Sequence, residues 1–472
     1  MTKETDFDVI VIGGGGAGMS AAYEAAAAGC SVMLVEAGDR LGGSTALSDG
    51  VFYAAGTSVQ RAAGIDGDTP NAMYLYYITL NQYKLDGSLA RRRADDAAPC
   101  LGWLISLGVE FDPEALYVAG VDGIRRGHAA SGYGAAIAAA IEGAISQSVE
   151  ISLRTRVQSL LIEDGALCGI VVDGTEVRAS SVVIATGGFG NNPELLATHY
   201  PQAAMHGDWS WYIGNVHSRG DGIALGASAG GDTRGHDRGL LLPTPGFVKE
   251  LEVFSPPWLV YVNREGDRFV DETVEYAVLS GVIQAQTGGE CFCIFDEPAR
   301  VAAAPAPYVK QLIADGRAMT NWLPEPLARA IRDRRIVSAP TIEALAEAAG
   351  LRWPALRATI DQYNEAVDTR HDHRFFKDME GAQKIATPPF YATRIRPAII
   401  CLTSYGLRID DQARAIGRDN RPVPGLFAAG ETTGGALGDR YCGGGYSIAN
   451  AIVFGRTAGR SAAARRGRNT FA

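Results

Sequence analysis

The sequence predicts an α/β protein in two domains: a parallel sheet with helices, assembled from both ends of the chain, and an α+β domain inserted into it. Three apolar strands that end in glycine carry this prediction, at 9–13, 182–188 and 424–430. Strands of this kind are typical of the centre of a parallel sheet, where their carboxyl ends face a ligand.

The N-terminal strand leads into the most informative motif. Gly13, Gly15 and Gly18 form Gly-x-Gly-x-x-Gly between an apolar strand and an alanine-rich helix. Gly13 allows a tight turn, Gly15 lets the backbone approach a pyrophosphate, and Gly18 lets helix and strand pack closely. The helix N-terminus offers free N–H groups and a positive dipole end. Glu36, at the end of the second strand, can accept from a ribose hydroxyl, so the unit predicts a dinucleotide site.

The remaining elements follow from periodicity and turn residues. A helical region is predicted over 71–107, and a hairpin over 150–172 around Asp164-Gly165. From 235 to 383 the chain carries Pro, Trp and charged helices without a dinucleotide motif. We therefore predict a discontinuous first domain, residues 1–234 and 384–472, and an inserted substrate or cap domain, residues 235–383.

Composition excludes several classes of protein. A net charge of −10 argues against nucleic-acid binding, and no run of about 18 apolar residues predicts a membrane span. The N-terminus runs directly into the first strand, so we expect a cytoplasmic protein. The seven cysteines are scattered without Cys-x-x-Cys, and Cys291 and Cys293 lie in an apolar run that favours a buried strand over a metal site. No metal is expected.

Taken together, three blocks resemble the FAD-dependent fumarate reductase and succinate dehydrogenase flavoproteins. The blocks are 13–36 with 42–45, 185–188 and 425–431. The resemblance implies a Rossmann-like domain that binds FAD in an extended form, and an inserted cap domain that closes over the flavin. No histidine or cysteine lies in 42–48, so a covalent flavin link is not expected.

The resemblance also implies which residues bind the cofactor. It places Glu36 on the ribose, Val157 near the adenine and Asp221 near the ribityl chain. The full set of implied cofactor-binding residues is Gly13, Gly15, Gly16, Ala17, Gly18, Glu36, Ala37, Gly43, Ser44, Thr45, Ser48, Asp49, Val157, Thr186, Gly187, Asp221, Gly430, Glu431, Ser447 and Ile448.

Most groups with which fumarate reductases handle a dicarboxylate are missing. Residues 402–408 lack the family's leading histidine. Residues 436–443 lack a second histidine, and Arg440 falls slightly out of register. The cap motif at 267–276 lacks the proton-donating arginine. Fumarate reduction is therefore not expected.

Tyrosines stand in their place. Tyr276 in the cap motif and Tyr441 before Gly443-Gly-Gly445 resemble the 3-ketosteroid dehydrogenase branch, and 43–53 resembles its Δ4-(5α) members. The resemblance implies that Tyr441 and the Gly445 N–H bind the substrate carbonyl and that Tyr276 is the base, although these two tyrosines could exchange roles. Three further residues are expected to bind substrate: Arg440, Tyr446 and Tyr405.

The predicted activity is therefore an FAD-dependent dehydrogenase that introduces a C=C bond next to the ketone of a cyclic substrate. Arg440 leaves an alternative open: it either pairs with Asp439 or binds the carboxylate of a small keto acid such as 4-oxocyclohexanecarboxylate. A reductase of an unsaturated carboxylate and a flavin-binding protein without catalysis are further alternatives. The electron acceptor is left open among quinone, oxygen and a carrier protein.

Overall fold

The computed structural model describes residues 5–252, 255–302, 307–316 and 320–466. Within them the chain divides into two compact units. The first comprises 1–204, 214–240 and 402–472, and the second comprises 205–213 and 241–401. Apart from the short segment 205–213, the second unit runs from Leu241 to Cys401, whereas the prediction was 235–383. Its end is later than predicted because the strand Phe390–Thr403 belongs almost wholly to the second unit.

The strands and helices are numbered in chain order. Those up to His199 are β1 (Phe7–Ile12), α1 (Gly16–Ala27), β2 (Val32–Val35), α2 (Gly43–Leu47), β3 (Val51–Tyr53), α3 (Ser58–Ala62), α4 (Pro70–Leu80), α5 (Gly87–Ser106), β4 (Tyr117–Val118), β5 (Arg125–Ala129), α6 (Tyr133–Ile145), β6 (Glu150–Ser152), β7 (Ser159–Glu163), β8 (Ala166–Val172), β9 (Thr175–Ile184) and α7 (Pro193–His199). The next are α8 (Pro201–Ala204), β10 (Trp211–Tyr212), α9 (Asp221–Ser228), β11 (Thr233–Arg234), β12 (Gly239–Thr244), β13 (Val260–Val262), α10 (Tyr276–Gln284), β14 (Cys291–Asp296), α11 (Glu297–Ala302), α12 (Pro307–Ala314), α13 (Pro324–Arg332), β15 (Val337–Ala339), α14 (Ile342–Ala349) and α15 (Trp353–Thr369). The last are β16 (Phe390–Thr403), β17 (Gly406–Leu407), β18 (Arg414–Ile416), β19 (Pro422–Ala428) and α16 (Tyr446–Ala463).

The first unit is built on a sheet in the order β18-β19-β9-β1-β2-β6. The strands from β19 to β6 are parallel, β18 is antiparallel, and the β7–β8 hairpin extends the sheet from β9. The C-terminal strand β19 thus pairs with β9 beside the N-terminal strand β1. The prediction of a parallel sheet assembled from both chain ends is confirmed.

Two local predictions have clear outcomes. The hairpin around Asp164-Gly165 is confirmed as β7 and β8. The helical region at 71–107 is two helices, because the chain breaks after α4 and Asp86 caps a new one. The Asp86 carboxylate accepts from the backbone N–H of Ser88 at 3.1 Å, and such a cap starts a helix.

The second unit has a sheet in the order β10-β16-β14-β13, with β12 and β15 also paired to β16. Cys291 and Cys293 in β14 point into one apolar cluster with Trp322, whereas Phe292 and Ile294 point into another. Because neighbouring strand residues face opposite sides of a sheet, both faces are covered. The prediction of a buried strand here is confirmed.

A buried ion cluster holds the segment before α10. Arg268 pairs with Glu272 (Nε–Oε1 2.8 Å) and Asp372 (2.6 Å), and Lys377 pairs with Glu272 (2.9 Å), with every one of these side chains at most 4% exposed. Desolvation alone would raise the pKa of Glu272, but the charges of Lys377 and Arg268 hold it below its usual range. The motif that carries Tyr276 is therefore anchored by charge shortly upstream of the tyrosine.

Lys377→Met tests this anchor. The change leaves the buried Glu272 carboxylate without one of its cations, which costs about 3 kcal/mol or more of unfolding free energy. Chemical denaturation with circular dichroism measures the loss. Lys384→Met is the matched control, because Lys384 pairs with Asp368 where the side chains are 42% and 59% exposed, and such pairs contribute less than about 1 kcal/mol. Equal losses in the two variants would contradict the anchor.

Candidate active site

The glycine turn between β1 and α1 forms an open cradle. A Cβ on Gly18 would collide with the Gly13 carbonyl oxygen, and Gly13 has φ +105°, so both positions require glycine. No atom lies within 4 Å of where a Cβ of Gly15 would be. Gly15 is also the N-cap of α1, and no side chain caps this helix. A phosphate can therefore reach the helix N-terminus without obstruction.

Glu36 closes one side of this cradle. Its Oε2 accepts from the Gly14 N–H at 2.7 Å and its Oε1 accepts from the Gly38 N–H at 2.6 Å. A carboxylate has about four acceptor positions, so capacity remains for a ribose hydroxyl. Ala37 lies between these contacts and is partly exposed. This geometry fits the predicted role of Glu36.

Helix α2 lies over the same turn. A Cβ on Gly16 would lie 2.6 Å from the Thr45 hydroxyl, and a Cβ on Gly43 would lie 3.1 Å from the Gly15 Cα. The Ser44 hydroxyl accepts from the Asn215 N–H at 3.0 Å. Ser48 donates to the Thr45 carbonyl at 2.7 Å, and Asp49 follows it, partly exposed. The predicted phosphate and flavin contacts of α2 therefore surround the glycine turn.

A polar group that the sequence did not reveal lies beside Val157. Arg156 pairs with Asp221, and its Nη2 lies 3.3 Å from the His217 Nδ1. A Cβ on Gly38 would lie 3.3 Å from the His217 ring. Asp221, which was expected near the ribityl chain, is thus joined to the arginine beside the predicted adenine contact. Arg156 and His217 have no signal in the local sequence, because 61 residues separate them.

The ends of β9 and β19 meet at small hydroxyl residues and a buried carboxyl. Thr186 donates to Thr432 at 3.4 Å, and a Cβ on Gly430 would lie 2.9 Å from the Ala17 Cβ. Glu431 accepts from the N–H and hydroxyl of Thr403 at 2.8 and 3.0 Å. Desolvation raises the pKa of Glu431 to about 7. This carboxyl can therefore donate or accept at neutral pH.

The N-terminus of α16 carries the C-terminal tyrosine. The Tyr441 hydroxyl accepts from the Ser447 N–H at 3.2 Å and lies 3.1 Å from the Ser447 hydroxyl. Gly445, the N-cap of α16, has φ +90° and is partly exposed. Its N–H finds no hydrogen-bond partner in the described part of the chain. Ile448 follows in the same turn and is buried. The first turn of α16 thus holds the Tyr441 phenol through Ser447 and begins at a glycine whose N–H is free among the described residues.

Two tyrosines expected to bind substrate, Tyr446 and Tyr405, differ in burial. Tyr446 is fully buried, and its hydroxyl has no partner among the described residues. It forms part of the core, a placement that does not favour the predicted substrate contact. Tyr405 is partly exposed, shares a hydrogen bond with the Thr233 hydroxyl (2.8 Å) and stacks on His199 with 3.9 Å between ring centroids. Sequence reasoning missed His199, whose pKa burial lowers, with His236 adding to the effect.

Arg440 is exposed and does not pair with its neighbour. Asp439 pairs instead with Arg238 at 2.7 Å and Lys84 at 3.6 Å. In the described ranges, the Arg440 guanidinium forms no ion pair, whereas its backbone N–H donates to the Asn81 side chain at 2.8 Å. The structure therefore does not form the bridge to Asp439 that one of the two interpretations of Arg440 requires.

In the second unit, Tyr276 is the first residue of α10 and is 36% exposed. Glu275, its N-cap, accepts from the N–H groups of Ala277 and Val278 at 2.8 and 3.3 Å. The other oxygen of Glu275 is buried without a hydrogen-bond partner among the described residues, and desolvation raises the pKa of this carboxyl to about 7. The structure therefore places a carboxyl that titrates near neutral pH directly before the expected base.

Neither a metal centre nor a membrane-spanning helix is found in the part of the chain that the structure describes. There, no group of three or more His, Cys, Asp and Glu side chains is arranged to hold a metal ion. None of the helices in those ranges combines the length and the apolar character needed to cross a bilayer.

Comparisons with known proteins identify the family of the chain. The family described as FAD binding domain matches residues 8–448. The chain is 28% identical to the vinyl phenol reductase of Lactiplantibacillus plantarum, over 98% of this chain and 97% of that protein. It is 30% identical to the fumarate reductase (cytochrome) of Shewanella frigidimarina, over 97% and 77%.

Solved structures show the same likeness. The 3-ketosteroid-Δ4-(5α)-dehydrogenase of Rhodococcus jostii RHA1 has a TM-score of 0.78 and 26% identity, with 98% of each chain covered. The open form of a flavocytochrome c3 fumarate reductase has a TM-score of 0.67 and 28% identity, over 98% of this chain and 79% of that one. The chain belongs to the FAD binding domain family of the fumarate reductase and succinate dehydrogenase flavoproteins, and is an FAD-dependent oxidoreductase that acts on CH–CH bonds.

Proposed function

We propose that this protein desaturates a cyclic ketone next to its carbonyl group, as a 3-ketosteroid dehydrogenase does. The observation that carries the proposal is the pair of donors at the start of α16: the Tyr441 phenol, held by Ser447, and the N–H of Gly445, which has no partner in the described part of the chain. A phenol and a free backbone N–H suit a carbonyl oxygen that becomes an oxyanion.

The proposed reaction divides the two hydrogens of the substrate between different acceptors. Tyr276, ionised or acting as a relay, takes the α-hydrogen as a proton, and the electron pair of that C–H bond forms an enolate. Tyr441 and the Gly445 N–H stabilise the charge on the ketone oxygen, for which preorganised donors contribute about 3–4 kcal/mol. When bound, FAD supplies the acceptor that takes the β-hydrogen as hydride at N5. The enolate electron pair then closes the new C=C bond.

The residues present fit the cofactor. The open position at Gly15 and the uncapped start of α1 suit the pyrophosphate, and Glu36 suits the ribose. Glu431, whose pKa is raised to about 7, suits a hydroxyl that both donates and accepts. The adenosine end would also lie near Val157, with Arg156 beside it, and Arg156 pairs with Asp221, the residue expected near the ribityl chain.

One of the two similar structures supports a ketone substrate for this proposal. The Rhodococcus structure holds 4-androstene-3,17-dione, which is a cyclic 3-ketone. The sequence resemblance described above implies that tyrosines stand where the fumarate reductases carry groups that bind a dicarboxylate. A phenol can donate to one ketone oxygen but supplies no positive charge for a carboxylate.

One observation favours a smaller, acidic substrate as the second candidate. Arg440 directly precedes Tyr441, is exposed and forms no ion pair among the described residues. An unpaired guanidinium binds a carboxylate in bidentate geometry. A keto acid such as 4-oxocyclohexanecarboxylate would use the same phenols and add this contact. A reductase of an unsaturated carboxylate remains the third candidate, since the two relatives named above are reductases.

An anaerobic substrate screen tests the function. The purified yellow protein is mixed with 3-ketosteroids, with 4-oxocyclohexanecarboxylate and, after chemical reduction, with fumarate or urocanate. We expect a cyclic ketone to bleach the oxidised flavin within the time of turnover, with the desaturated product found by mass spectrometry. Bleaching by no ketone, combined with rapid reoxidation of the reduced protein by an unsaturated acid, would overturn the proposal in favour of the reductase.

Tyr441→Phe tests the mechanism. Removing the phenol hydroxyl takes away one donor to the oxyanion, so turnover is expected to fall by about 100-fold or more while the FAD content stays unchanged. Steady-state kinetics and the flavin absorbance of the purified variant measure both quantities. Tyr363→Phe is the matched control, because Tyr363 is buried in the second unit and its hydroxyl has no partner among the described residues. Near-normal turnover of Tyr441→Phe would exclude the phenol from the mechanism.

A further inference from the structure

Arg93, on α5, is a fully buried arginine without an acidic partner in the described part of the chain. Its Nη1 donates to the Ala436 carbonyl at 2.8 Å and to the Asn450 side chain at 2.7 Å. Its Nε and Nη2 are buried and make no hydrogen bond to any described residue. A buried charge without a counter-charge is costly, so an arginine kept here requires a physical reason.

The guanidinium lies against a stack of tyrosines that leads to the proposed site. Its Cζ lies 4.0 Å from the ring centre of Tyr446 and 5.2 Å from that of Tyr77. The ring of Tyr446 contacts that of Tyr441 edge to face, with 5.7 Å between centroids. A single aromatic ring therefore separates the positive charge from the ring of Tyr441.

Among the described residues, no other buried arginine in this core keeps an unneutralised charge. Arg126 is also buried, but it is neutralised by Asp68 at 2.7 Å and Asp122 at 2.6 Å. The titratable and charged groups that face this core from the packed elements are Tyr53 of β3, Tyr76 and Tyr77 of α4, Arg126 of β5 with Asp68 and Asp122, Cys442 and Arg440 before α16, and Tyr446 of α16.

We propose that Arg93 is a positioning residue of the reaction inferred above: its unneutralised charge stabilises the negative charge that develops on the Tyr441 hydroxyl and on the carbonyl oxygen that this hydroxyl binds. The inference rests on the proposed function. It also explains why α5 buries an arginine where an apolar side chain would pack at lower cost.

The size of the effect follows from distance and burial. Charges inside a protein are screened far less by salt than exposed charges. At a separation on the order of 10 Å and an effective dielectric constant of about 20, the interaction shifts a titration by about one pH unit, or about tenfold in an equilibrium. The neighbouring phenols show that Arg93 lowers a phenol pKa. Desolvation raises the pKa of Tyr77 and Tyr446, and Arg93 is the largest charge that opposes this rise.

Three variants test the proposal in the FAD-loaded protein. Arg93→Met removes the charge, Arg93→Lys keeps it, and Arg91→Met removes an exposed charge of the same helix that pairs with Asp95. The first readout is the pH dependence of kcat with a cyclic ketone. The second is the ultraviolet phenolate titration, taken as the difference between each variant and the same variant carrying Tyr441→Phe. The second readout needs no substrate, so it remains informative if the proposed activity is not found.

We expect Arg93→Met to raise the pH at which Tyr441 titrates by about one unit. The limb of the kcat–pH profile that reports this titration should rise by the same amount, and turnover should fall about tenfold. Arg93→Lys should restore most of both, and Arg91→Met should change neither. If the methionine variant does not fold, Arg93→Gln, which keeps an amide donor for Ala436, carries the same expectation.

An unshifted Tyr441 titration in Arg93→Met, or in the glutamine variant used in its place, would overturn the proposal. So would a shift of the same size in Arg91→Met, because it would show a general effect of net charge. A failure of Arg93→Lys to restore the titration, in protein that retains its FAD, would also overturn it, because the geometry and not the charge of Arg93 would then control Tyr441.

Discussion

The first unit depends on the close packing of α1 against both the parallel sheet and α16. A Cβ on Gly18 would collide with the Gly13 carbonyl, and a Cβ on Gly455 or Gly459 would collide with the backbone carbonyls of Ala17 or Ala21. Without these side chains, the helix N-terminus can sit directly at the ends of β1, β9 and β19. The same closeness brings the C-terminal block at Gly430 against the N-terminal turn. One constraint, the absence of three Cβ atoms, therefore assembles the cofactor cradle from residues far apart in sequence.

The proposed chemistry depends on a second feature, the kind of donor at the start of α16. A phenol and a backbone N–H stabilise an oxyanion without carrying charge, so they suit a ketone that enolises. Charge is supplied from behind, by Arg93 through the tyrosine stack. Glu275 and Glu431 add carboxyls whose pKa values desolvation raises to about 7, so both can exchange protons under physiological conditions.

Much of this arrangement is visible in the sequence because its signals are local. The glycine turn, the acid after β2 and the hairpin at 159–172 each depend on residues within one or two elements, and the structure contains them. Contacts between distant segments carry no such signal. Strand β10 pairs with β16, which lies far along the chain, with Trp211 opposite Ile399, and nothing at 211–212 indicates this pairing.

The same limit applies to the candidate site. Tyr441 and Tyr446 look alike in sequence, yet one phenol is held by hydrogen bonds from Ser447 and the other is buried without a partner among the described residues. The difference arises from α5, which places Arg93 against the ring of Tyr446. Likewise, Asp439 pairs with Arg238 and not with the adjacent Arg440. Arg238 lies 201 residues earlier in the sequence, and the fold brings it next to Asp439. The spacing of residues in the sequence could predict neither the role of each tyrosine nor the partner of Asp439.

The mechanism depends on one step, the enolisation of a ketone by phenol groups before its β-hydrogen leaves. Hydrogen exchange in deuterated water tests this step most directly. The protein is reduced anaerobically, so that it can no longer accept hydride, and is then incubated with the ketone that it turns over. We predict that deuterium enters at the α-carbon, as seen by nuclear magnetic resonance, and not at the β-carbon. A ketone that the oxidised protein desaturates but the reduced protein leaves free of deuterium at the α-carbon would contradict this mechanism.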